Sequence, residues 1–64
     1  MHDPNHLHDT PTVARLLGLS EITLRKWRVH ERREGPAWIK CGKAVRYREA
    51  DLQEWLARQT VSGQ

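Results

Sequence analysis

The chain has no phenylalanine and a single cysteine, Cys41. One cysteine excludes an intrachain disulfide and fits a reducing compartment. No apolar run approaches the roughly 20 residues that cross a bilayer, so no membrane partner is expected. The first residues lack the charged-then-apolar layout of a secretory signal, and a cytoplasmic, nucleoid-associated location is expected. With 64 residues there is at most one domain. A chain this short buries only roughly 60% of its unfolded surface, which leaves little room for a deep catalytic pocket. There is no Ser-His-Asp arrangement, no glycine-rich phosphate loop and no metal motif. Neither an enzyme nor a cofactor is expected.

Residues 1–8 are polar and aperiodic and read as a disordered tail. His2, His6 and His8 lie there, with Cys41 an imaginable fourth ligand. Their spacing matches no structural zinc pattern, and a His-rich tail is the simpler reading. Residues 60–64 read as a fraying C-terminal tail, and 9–59 as the folded domain.

Charge is present in quantity, and it is unevenly placed. Residues 21–48 hold nine basic side chains (Arg25, Lys26, Arg28, Arg32, Arg33, Lys40, Lys43, Arg46, Arg48) and three acids (Glu21, Glu31, Glu34), net +6. The rest hold two basic residues (Arg15, Arg58) and five acids (Asp3, Asp9, Glu49, Asp51, Glu54), net −3. A basic middle between acidic ends points to an anionic partner, set against the simpler reading of a solvated charged face. Three tryptophans, Trp27, Trp38 and Trp55, supply apolar area and are expected to form much of the core.

Local signals predict helix, turn, helix, hairpin, helix. Asp9 or Thr10 caps a first helix, with Pro11 in its first turn. Val13, Leu16 and Leu17 form its apolar stripe, and Gly18 ends it. Ser20 caps a second helix from Glu21 to a point within 29–34, with Leu24 and Trp27 inward. Gly35-Pro36 stops it. Two alternating runs, 37–41 and 44–48, flank the two-residue loop Gly42-Lys43 and predict a tight hairpin. Its apolar face is expected to be Ile39, Cys41, Val45 and Tyr47, and its basic face Lys40, Arg46 and Arg48. Leu52, Trp55 and Leu56 mark a last helix near 49–59.

Basic residues concentrate on the second helix and the hairpin. A helix about 10–12 Å across fits the major groove of DNA. A basic hairpin beside it reaches phosphates or the minor groove. The expected fold class is α+β, mostly α, a winged helix-turn-helix.

Arg25 is the expected base reader, because a guanidinium can bond guanine O6 and N7 together. Lys26 and Arg28 are expected on phosphates. Ser20 and Thr23 either bond a phosphate or serve the helix start. Glu21 either accepts from cytosine N4 or only favours the helix dipole. Lys43 and Arg46 are expected on the DNA backbone, with Lys40 and Arg48 secondary. The competing reading is a solvated edge kept basic to prevent strand pairing. Trp27 and Trp55 read as core rather than base-stacking residues. Trp38 covers the helix end or meets a partner.

"LLGLSEITLRKWR", then "GP", then "WIKCGKAVRYREADLQEWLA" resembles the small MerR-like winged-helix proteins, including excisionases and AlpA-like regulators. The resemblance covers roughly residues 9–58. It implies a sequence-specific double-stranded DNA binder, either a transcription regulator or an excisionase-like recombination directionality factor of a phage or mobile element. Implied partners are DNA, further copies of the chain, and an integrase or RNA polymerase. The segment before Gly35-Pro36 is longer than in such proteins, and Arg32 or Arg33 is expected near the DNA backbone. The alternative function is a protein-interaction module, a small phage or plasmid-encoded inhibitor anchored by Trp38 and Val29.

Overall fold

The computed structural model describes residues 3–29 and 34–59. The elements are β1 (Leu7–His8), α1 (Thr10–Leu17), α2 (Glu21–Val29), β2 (Ile39–Cys41), β3 (Ala44–Arg48) and α3 (Glu49–Gln59). The stretch Arg32-Arg33, like residues 60–64, lies outside the described residues.

Capping explains the ends of α1. Asp9, in extended conformation, accepts from the Thr12 N–H at 3.0 Å. Thr12 bonds hold the Asp9 carboxyl below its ordinary value; nearby Arg46 and Arg15 add smaller attractions. At the other end Gly18 takes φ 68°, a left-handed conformation that costs glycine little. That geometry lets the Leu19 N–H reach Ala14 O at 2.9 Å and the Gly18 N–H reach Arg15 O at 3.2 Å. Two of the orphan carbonyls of the last turn are thereby satisfied.

The buried stripe of α1 is Thr10, Val13 and Ala14, with Leu17 partly covered. Leu16, expected inside, is 61% exposed. Thr10, Val13, Ala14 and Leu17 are the complete i, i+3, i+4, i+7 set. A polar residue and a small one stand at two of its four positions, which masks the stripe in the sequence.

The sheet has three strands in the order β1-β3-β2, all antiparallel. The tail expected over residues 1–8 is corrected: Leu7 pairs with Arg48 and His8 with Tyr47. The outer edge of β3 offers unpaired backbone groups, and this short strand takes them. A second need is met at the same place. β3 runs straight into α3, so no capping loop serves the first N–H groups of that helix. The Glu49 N–H donates to His6 O at 2.8 Å, and the Ala50 N–H to Pro4 O at 3.1 Å. The half-buried His8 ring lies 2.6 Å from the carboxylate of Glu49, which is only 5% exposed.

The expected hairpin faces are also corrected. Ile39 pairs with Arg46, Lys40 with Val45, and Cys41 with Ala44. Side chains directly opposite in an antiparallel pair share a face. A two-residue loop therefore puts Ile39 and Cys41 with Arg46 and Arg48, and Lys40 with Val45 and Tyr47. The apolar inner face is narrower than expected: Tyr47 is buried, Val45 is half-buried, and Cys41 is exposed.

Val13, Ala14, Leu24, Tyr47 and Leu52 form the core, with Leu17, Trp27 and Val45 packed against it. Tyr47, Leu24, Leu52 and Val13 are the largest fully buried side chains, each contributing about 1.5–3 kcal/mol by burial. The tryptophans sit at its margin rather than forming most of it. Trp27 and Trp55 meet between α2 and α3 with ring centroids 5.8 Å apart, and Trp38 is exposed. Trp55 Nε1–H donates to Glu34 O at 2.9 Å, tying the return loop to α3. A Cβ on Gly35 would lie 2.5 Å from the Trp27 ring, so only glycine lets the chain pass there.

Candidate nucleic-acid interface

The turn between α1 and α2 sets the first part of the site. Ser20 Oγ accepts from the Thr23 N–H at 3.2 Å and lies 3.0 Å from Thr23 Oγ1. Both hydroxyls are thus engaged at the helix start, and Ser20 serves as its cap. Glu21 pairs with Arg25 Nη2 at 3.5 Å, one helical turn away, with both side chains substantially exposed. Such a pair contributes only a few tenths of a kcal/mol, about 0.3–0.5. Arg25 can leave it for a stronger acceptor at little cost. Lys26 is exposed beside it.

Arg28 departs from expectation. Its Nη1 donates to Tyr47 Oη at 2.7 Å and to Thr10 Oγ1 at 3.2 Å. The guanidinium is half-buried and turned inward, joining α2 to β3 and α1. Arg28 therefore makes a structural contact beside the phosphate contact expected of it. Helical periodicity carried the signal: Arg28 follows Leu24 by four residues and shares its inward side. Tyr47, buried and bonded to Arg28, is the partner that sequence reading placed in the core without assigning it this hydrogen bond.

On the hairpin, Gly42 adopts φ 65° at the first loop position and Lys43 stands exposed at the tip. Arg46 is half-buried, and its Nη1 donates to Val45 O at 2.8 Å. Arg48 pairs with Asp51 at 3.3 Å across the strand-helix junction. Lys40 is exposed but lies on the face opposite the two arginines. The hairpin thus has cations on both faces and at its tip rather than one basic face.

Beside α2 runs an open groove of about 520 Å³, with Trp27, Pro36, Trp38 and Tyr47 among its lining residues. Among the described residues no three His, Cys, Asp or Glu side chains converge as metal ligands. The His6 and His8 rings pack edge to face at 4.7 Å. Among the same residues no helix is long and apolar enough to cross a membrane.

A short helix, a glycine turn, a second helix and a strand hairpin running into a third helix define a winged helix-turn-helix domain. The family model described as a helix-turn-helix domain matches residues 9–60, and the chain belongs to that family. Membership makes DNA the expected partner of a small regulator. A comparison with curated proteins gives no match.

Proposed function

We propose that the protein is a sequence-specific double-stranded DNA-binding factor. It inserts α2 in the major groove and lays the β2–β3 wing on the backbone or in the minor groove. The observation that carries this reading is the exposed basic pair Arg25 and Lys26 on the second helix of the motif. Neither packs into the core, so their charge is available to an anion. Arg25 has the geometry for guanine, and Lys26 and Lys43 suit phosphates. Arg46 and Arg48 add positive potential, with Lys40 on the other wing face.

Transcription regulator and excisionase-like directionality factor share this surface. An integrase gene beside the coding sequence, and bending of attachment-site DNA on binding, favour the second. Occupancy of a promoter operator without bending favours the first.

Binding to duplex DNA as a function of salt tests the reading. The expected log–log slope is about −3 to −6, from one counterion released per phosphate contacted. Arg25→Ala together with Lys43→Ala should weaken binding at least tenfold while the unfolding midpoint stays put, because both side chains are exposed. A flat salt dependence, or unchanged binding by the double variant, would instead favour a protein-binding module using exposed Trp38.

A further inference from the structure

The outermost ridge of α2 is not wholly basic. At about 100° per residue, Ile22, Lys26 and Val29 project away from the side that Leu24, Trp27 and Arg28 turn inward, and Val29, at the helix end, also borders the groove beside α2. Arg25 lies on the flank, where Glu21 pairs with it. Ile22 is 60% exposed and Val29 is 78% exposed. Neither belongs to the core cluster or packs against it. Two β-branched aliphatic side chains thus occupy strongly exposed positions of the helix, where they are also weaker helix formers than lysine or glutamate.

Lys26 between them, and Arg25 beside them, indicate an anionic occupant. Inside the major groove the apolar group on offer is the C5 methyl of thymine. We propose that Ile22 and Val29 read thymine methyl groups on either side of the contacts made by Arg25 and Lys26. The inference rests on the reading that α2 enters the major groove, and it adds part of the target's composition. The two side chains are seven residues apart, about 10 Å along the helix axis. Base pairs repeat every ~3.4 Å along the duplex and a helix in the groove runs obliquely to it, so the two thymines should lie no more than about three steps apart.

The test selects duplexes from a random-sequence pool with the full chain. Each thymine of the selected site is then replaced by deoxyuridine, which removes only the methyl group. Wild type should lose about fourfold in affinity at each of two positions, the effect of one buried methyl. Ile22→Ala should abolish the loss at one position and Val29→Ala at the other, with both salt slopes unchanged. The deoxyuridine series on the unaltered protein decides the matter even if a variant folds poorly. Tight, salt-dependent binding without methyl sensitivity would overturn the inference and leave the DNA-binding reading standing. Absence of binding to every duplex, at low salt as well, would overturn both.

Discussion

Arg28 shows how one side chain can belong to a basic helix without belonging to its exposed surface. Its bonds to Tyr47 and Thr10 hold a cation among three elements. Hydrogen bonds involving a charged group contribute about 1.5–3 kcal/mol each way they are measured. Arg28→Ala should therefore lower stability by about 2 kcal/mol, read from the urea midpoint at constant slope. Lys26→Ala should leave the midpoint within about 0.5 kcal/mol, as for other exposed sites. It should also reduce the magnitude of the salt slope by about one. Arg28 and Arg25 look alike in the sequence, and only their angular positions relative to Leu24 tell them apart.

Elements with a local cause were legible in the sequence. Asp9, Gly18 and Ser20 act within one helical turn, so the limits of α1 and the start of α2 could be read from them. Gly42 likewise marks the hairpin loop. What escaped depends on distant pairing. Two residues, Leu7 and His8, carry no periodicity, and their strand exists only because β3 has a vacant edge. The hairpin faces were misassigned because alternation within each strand does not reveal which residues stand opposite; the loop length does. Glu49, in the sequence only one of five acids outside the basic segment, is buried against His8. His8→Ala should cost about 2 kcal/mol by removing a hydrogen-bond partner of a buried carboxylate. Thermal unfolding of this variant, beside His6→Ala as a neighbouring control, checks the value. Loss confined to His8→Ala supports β1 as part of the domain.

At the scale of the molecule, size limits what one copy can recognise. A single module of this kind covers about 600–1,000 Å² of surface on DNA. We propose that several copies act together on repeated sites. A duplex with two selected sites in tandem should bind the second copy at least tenfold tighter than an isolated site does, with strong dependence on spacing. Gel-shift titrations of single-site and tandem-site duplexes measure this; equal affinities would mean independent binding. The strand at the start of the chain has a further consequence, in time rather than space. His8 and Glu49 are 41 positions apart in sequence. Loop closure over that distance must precede the contact, and synthesis runs from the N-terminus. β1 is made before its partner, so on the ribosome the sheet cannot be completed until β3 has emerged.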